Sequence, residues 1–218
     1  MKNSELTRRS FIEKGLAVSA GLGAQRVFAA NPTAAARFVP AQLGEGEKLR
    51  VAVLGCGNRS PAHIRAINYY ADRMEVAALC DVLPEKLEEK KALVETGTPE
   101  LYTDYDKMLA ECENLHAVAV VLPNTVHRAG TVASLEAGKH VLCEKPLTLK
   151  LADTKAIIDT ADRTGRIVQV GTQSRHAPGY QLLADKLADG LIGNVLYGWA
   201  ETFRVDWRKL YPDPEVDS

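Results

Sequence analysis

From residue 49 to residue 173 apolar runs alternate with helical stretches, and this alternation limits the possible folds more than any other feature of the chain. The runs LRVAVLGCG, MEVAALCDV, HAVAVVLP, KHVLCEKP and RIVQVGTQ lack polar alternation, as do strands buried on both faces of a sheet. Between them lie PAHIRAINYYADR, PEKLEEKKALVET, TVHRAGTVASLEAG and LKLADTKAIIDTADRTG, which read as helices, the last two closed by Gly138 and Gly165. LYTDYDKMLAEC adds a short strand or turn and a further helix. Strands that alternate with helices predict an α/β fold with a doubly wound parallel sheet.

Composition narrows what such a domain can meet. Lys and Arg number 27 against 28 Asp and Glu, a net charge of -1, so no basic excess exists to neutralise a phosphate backbone and no nucleic acid is expected as partner. Cys56, Cys80, Cys112 and Cys143 form no C-x-x-C pair. That predicts free thiols packed as small hydrophobes rather than a zinc or dithiol site. No His, Asp and Glu cluster has metal-ligand spacing, so no metal is assigned.

Ahead of the alternation, TRRSFIEKGLAVSAGLGAQRVFAAN sets Arg8 and Arg9 before Phe11 and Ile12, then a mildly apolar stretch, then Ala29 and Ala30. It resembles a twin-arginine export signal over residues 1–30, cleaved near Ala29 or Ala30; a basic amphipathic helix is the plainer alternative. The stretch is too short to span a bilayer, which takes about 20 apolar residues, so no stable membrane span is expected. Export by the twin-arginine machinery, to the periplasm or beyond, is the expected localisation. A linker containing Pro and Gly follows over residues 31–47.

The first apolar run ends in GCGNRS (residues 55–60), directly before a helix. A dinucleotide-binding turn requires that context: Gly55 for the tight turn, Gly57 for close approach of a pyrophosphate, and a helix N-terminus to receive its charge. Ser60 takes the place of a third small residue, and could also cap the helix ahead of Pro61. Asp81 ends the second run 21 positions beyond Ser60, where an acid binds the adenosine ribose and repels a 2′-phosphate. NAD is thus the expected cofactor, with Lys86 leaving NADP open. The competing readings are a structural glycine turn and, for Asp81, a helix cap or turn residue before Pro84.

LPNTVH (residues 122–127), CEKP (143–146) and VGTQSRH (170–176) fall at the ends of later strands, where open α/β sheets bind ligands. Together with GCGNRS they resemble the glucose–fructose oxidoreductase, inositol dehydrogenase and rhizopine-catabolism family, Gfo/Idh/MocA, over residues 48–195. The resemblance implies a Rossmann-type NAD(P)-binding domain over residues 48–173 and the incomplete start of a second α/β substrate domain over 174–218. It implies a cofactor lined by Gly55, Gly57, Asn58, Arg59, Ser60, Asp81, Leu122, Pro123, Asn124, His127, Glu144 and Gln173. It also makes Lys145 the catalytic or substrate-orienting residue, because the family's Glu-Lys-Pro lysine lies near the nicotinamide and substrate. The chemistry agrees, since an ammonium polarises a reacting hydroxyl or carbonyl oxygen. Plainer roles stand beside these: Glu144 and Lys145 as solvated loop charges, His127 bonded to a backbone group, Asn124 as an N-cap, Arg175 and His176 as ordinary loop residues.

The resemblance implies a further sheet domain that supplies an Asp and a His to proton transfer, for which no counterpart is expected within the residues up to Ser218. APGYQLLADKLADG reads as a helix and NVLYGWAETFRVDW as a strand, which do not make a second core. Three functions are therefore expected as alternatives. The first is an NAD(P)-dependent oxidoreductase that moves a hydride between a tightly held nicotinamide and a sugar or polyol, this chain lacking part of its catalytic site. The second is a nucleotide-binding remnant without turnover, and the third a glycosidase using a retained NAD for redox-neutral transient oxidation. The resemblance also implies a homo-oligomer paired through the second domain.

Overall fold

The computed structural model describes residues 43–44 and 46–201. The export signal, most of the linker and the residues after Glu201 lie outside the described residues. Six strands form one sheet: β1 (Leu49–Leu54), β2 (Met74–Cys80), β3 (Glu100–Tyr102), β4 (Ala117–Val120), β5 (His140–Glu144) and β6 (Val168–Gly171). Their order is β3-β2-β1-β4-β5-β6, and every neighbouring pair is parallel. This is the doubly wound parallel sheet that the alternation predicts, in the Rossmann order that the family resemblance implies. Five helices connect the strands: α1 (Ser60–Tyr69), α2 (Pro84–Lys91), α3 (Tyr105–Glu111), α4 (His127–Glu136) and α5 (Leu151–Thr164).

Successive side chains of a strand point to opposite faces, so each apolar run feeds two cores. On one face Leu54, Cys80, Val118, Val120 and Cys143 pack with Met108 of α3, Leu135 of α4 and Ile157 of α5. On the other, Val51, Val53, Val76 and Leu79 pack with Ile64 of α1 and Leu87 of α2. Each large side chain so removed from water contributes roughly 1.5–3 kcal/mol, which is why residues 51–54 include no polar side chain. All four cysteines are free and buried, as expected. Gly165 ends α5 at φ +66° and Gly138 follows α4 at φ +75°, the left-handed geometry that lets a helix close without a Cβ clash.

Among the described residues, those through His176 belong to one compact unit and those from Ala177 onward to another. In the second unit α6 spans Pro178–Ala188 with Pro178 opening its first turn, where a missing N–H removes no helical bond. The strand expected over residues 194–207 is not formed over 194–201, which have no regular structure. A strand needs a neighbouring strand for its N–H and C=O groups, and residues 194–201 pair with none. No helix among the described residues is long and apolar enough to cross a membrane.

Candidate functional site

The strand order reverses between β1 and β4, and the crevice this opens at the carboxyl ends of the strands is where such sheets take ligands. Gly55 makes the turn out of β1 at φ +98° and donates its N–H to the Cys80 carbonyl at 2.8 Å. A Cβ at Gly55 would lie 2.6 Å from the Val121 carbonyl oxygen, so only glycine lets the turn pass this close to the end of β4. Gly57 differs: a Cβ there would meet no atom within 4 Å. Its open face adjoins the N-terminus of α1, whose positive dipole end suits a pyrophosphate.

Ser60 is fully buried, and its hydroxyl donates to the Gly57 carbonyl at 2.8 Å. The helix-capping role expected of Ser60 is not what forms, because Arg59 occupies the cap position and no side-chain cap bond is made. Burial turns the Ser60 hydroxyl inward, where it closes the glycine turn. Asn58 and Arg59 remain exposed beside the crevice.

Asp81 leaves β2 next to this turn, half-buried. Its Oδ2 accepts the Cys56 N–H at 2.7 Å and its Oδ1 the Leu83 N–H at 3.0 Å. The acid is thus a turn residue and an anchor of the glycine loop together, and each carboxylate oxygen retains a further acceptor site for a hydroxyl. Lys86 is engaged by Glu89 at 3.1 Å. Burial first, and the Asp81 charge second, push the Cys56 thiol up to about 12, which makes it an inert filler of the turn.

Glu144, 5% exposed, closes β5. Its Oε1 accepts from Arg59 Nε at 2.7 Å and from His63 Nε2 at 2.9 Å, and its Oε2 from the Lys145 N–H at 3.1 Å. Burial pushes the carboxyl up, but the bonds from Arg59, His63 and the Lys145 amide outweigh it and hold the group below the usual carboxylate range. Arg59 Nη2 also donates to the Gln173 amide oxygen at 2.9 Å once that amide is turned so that its nitrogen meets the Gly171 carbonyl at 3.2 Å. One guanidinium therefore joins the ends of β1, β5 and β6. With Leu142 and Gln169 these groups line a concave pocket of about 440 Å³. Lys145 is exposed, its peptide to Pro146 is cis, and its ammonium has no ion-pair or hydrogen-bond partner among the described residues.

At the end of β4, Leu122 is half-buried while Pro123 and Asn124 are exposed. A 3-10 turn over Asn124–Val126 precedes α4. The N-cap expected of Asn124 is absent, since the cap positions of the two turns fall on Pro123 and Val126, whose side chains accept nothing. His127 departs furthest from the expected cofactor lining. It is 0% exposed, with Nδ1 2.8 Å from the Pro146 oxygen and Nε2 2.8 Å from the Leu122 oxygen. It touches the backbone of both site loops from beneath and presents no surface to a ligand.

Two contributors carry no motif. His63 lies four residues after Arg59, on the same face of α1, and that spacing is its one local signal. At Gly130 a Cβ would fall 2.8 Å from Leu122 Cδ1 and 3.0 Å from Leu54 Cδ2, so α4 approaches the ends of β1 and β4 closely there.

Residues 49–172 match the family GFO_IDH_MocA, described as an oxidoreductase family with an NAD-binding Rossmann fold. The inositol 2-dehydrogenase/D-chiro-inositol 3-dehydrogenase of Lactiplantibacillus plantarum is 32% identical over 156 residues, 71% of this chain and 44% of that protein. A glycosyl hydrolase family 109 protein of Shewanella pealeana is 26% identical over 214 residues, 90% of this chain and 46% of that protein. The WlbA dehydrogenase from Bordetella pertussis, solved in complex with NADH and UDP-GlcNAcA, superposes with a TM-score of 0.62 at 30% identity, over 66% of this chain and 43% of that one. The chain spans somewhat under half the length of these relatives. It belongs to the Gfo/Idh/MocA oxidoreductase family, and residues 49–172 are its NAD-binding Rossmann domain.

Proposed function

We propose that the chain is the nucleotide-holding part of an NAD-dependent oxidoreductase that acts on a hydroxyl-bearing carbon of a sugar or polyol. The observation that carries this reading is the glycine turn of Gly55 and Gly57 held by the Asp81 carboxylate at the carboxyl ends of the strands, with Lys145 exposed where β5 ends. These residues fit NAD. The space at Gly57 and the N-terminus of α1 would receive the pyrophosphate, and Asp81 would accept from the ribose hydroxyls while its charge opposes a 2′-phosphate. When bound, NAD supplies the ring that exchanges hydride with the substrate carbon. Lys145 would orient the substrate hydroxyl and stabilise its oxygen as the proton leaves. The substrate class is supported by relatives such as the inositol dehydrogenase.

The reading is tested by titrating the full chain with NAD and NADP. Binding of NAD is expected, weakened about tenfold or more in Asp81→Ala, as loss of a charge-assisted bond implies. Asp81→Asn, which keeps the anchor to Cys56, is expected to lose discrimination against NADP. Gly57→Asp is expected to retain its melting temperature, because nothing lies within 4 Å, yet to bind NAD at least about 30-fold more weakly through charge repulsion with the pyrophosphate. A parent chain that binds no NAD removes the proposal, and an Asp81→Ala chain that binds like the parent removes the ribose assignment.

A second reading is favoured by the likeness to the glycosyl hydrolase family 109 protein over 90% of the chain: the NAD is retained and used for transient oxidation at a sugar carbon. Release of nitrophenol from a p-nitrophenyl glycoside by the full-length protein, with no acceptor added, would support it, and silence would count against it. Arg8 and Arg9 support a proposal of twin-arginine export, which suits a cofactor that is never exchanged. Mature protein recovered from the cell envelope is then expected to release nucleotide on heating; an empty protein would end the retained-cofactor reading.

A further inference from the structure

The two carbonyl oxygens against His127 can only accept. Nδ1 and Nε2, each 2.8 Å from its oxygen, therefore both bond only if both carry hydrogen. A neutral ring would satisfy one carbonyl and set its bare nitrogen lone pair against the lone pairs of the other, in a site with no exposed surface. We infer that His127 is held as an imidazolium and acts as a positioning residue, a cationic clamp that fixes the separation of the Leu122-Pro123-Asn124 loop from the Glu144-Lys145-Pro146 loop. Its effect on ligand binding rests on the NAD reading above; its charge state does not.

The groups around the ring are consistent with a lone buried cation. The Cys143 thiol of β5 contacts it. Glu144, next on that strand, is turned away to Arg59 and His63, and Lys145 is exposed. On the helical side Arg128 of α4 faces Asp153 of α5 at 3.5 Å. Contact with Cys143, opposed by burial and aided by the Pro146 and Leu122 carbonyls, raises the ring from 6.5 to about 9. A folded-state value above the unfolded one means that the clamp stabilises fully below pH 6.5 and is lost as pH rises through 9.

The test is a proton–nitrogen spectrum of the full chain carrying ¹⁵N-histidine, followed from pH 6 to pH 10, beside NAD titrations over the same range. His127 is expected to show two protonated nitrogens at pH 7.5 and to lose one near pH 9. NAD affinity is expected to fall about tenfold across that same step. His127→Gln, which cannot bridge both carbonyls as a cation, is expected to bind NAD about tenfold more weakly at pH 7 and to lack the step. A ring with one protonated nitrogen at pH 7 overturns the inference, and so does a folded His127→Gln chain with parental affinity and pH profile. Should that variant not fold, the parent ring spectrum and the parent NAD profile decide. Should the parent bind no NAD, the functional reading falls and the ring spectrum alone upholds or removes the clamp.

Discussion

A Gly55→Ala chain is expected to be destabilised by roughly 2–6 kcal/mol, seen as a melting temperature lower by on the order of 10 °C, and to lose NAD binding with it. Two independent terms add. At φ +98° an L-residue is strained by about 1–3 kcal/mol. The new Cβ would also sit 2.6 Å from the oxygen and 2.7 Å from the carbon of the Val121 carbonyl. Those are backbone atoms, and the Val121 N–H is itself bonded to the Leu54 carbonyl at 2.7 Å. Relief therefore requires prising apart β1 and β4, the two central strands, an overpacking term of about 1–3 kcal/mol. Thermal unfolding of parent and variant checks this. A melting temperature within about 2 °C of the parent would show that the turn yields more readily than the contact implies.

Arg59→Met is expected to destabilise by about 1–3 kcal/mol at pH 7, because it leaves a buried carboxylate without its cation. The Glu144 side chain is 6% exposed and cannot recover water when its cation goes, although His63 and the Lys145 amide still bond it; breaking a fully buried pair costs about 3–5 kcal/mol. The Arg59 side chain is 43% exposed, so solvent screening keeps the expected loss below that ceiling. The folded pKa of Glu144 lies below its ordinary 4.5, so its contribution is present above 4.5 and disappears as pH falls through the folded value. Parent and Arg59→Met melting temperatures should accordingly differ from pH 8 to pH 5 and converge in acid. Equal melting at pH 7 would mean that the guanidinium adds nothing to the site.

Local pattern alone carries far into this fold. The unbroken apolar runs predict the parallel strands because only a sheet covered on both faces can bury a Val-Ala-Val-Leu sequence such as residues 51–54. Gly138 and Gly165 mark helix ends because the left-handed cap excludes other residues. The strand expected over residues 194–207 is not formed over the described 194–201, since an apolar run becomes a strand only when a second strand pairs with it.

For the site, the sequence by itself determined the positions that answer to a local geometric need: Gly55 at a tight turn, Gly57 before a helix N-terminus, Asp81 at a strand end. Tertiary structure alone decided which groups meet. Arg59 and His63 reach Glu144 across 85 and 81 residues, and the inward rotation of His127 and Ser60 follows from how α4 and α1 pack on the sheet. Turns and strands are set by backbone sterics and side-chain period, which act over a few neighbours. Which charge is paired, and which ring is sealed between two carbonyls, depends on burial that only the packed chain creates.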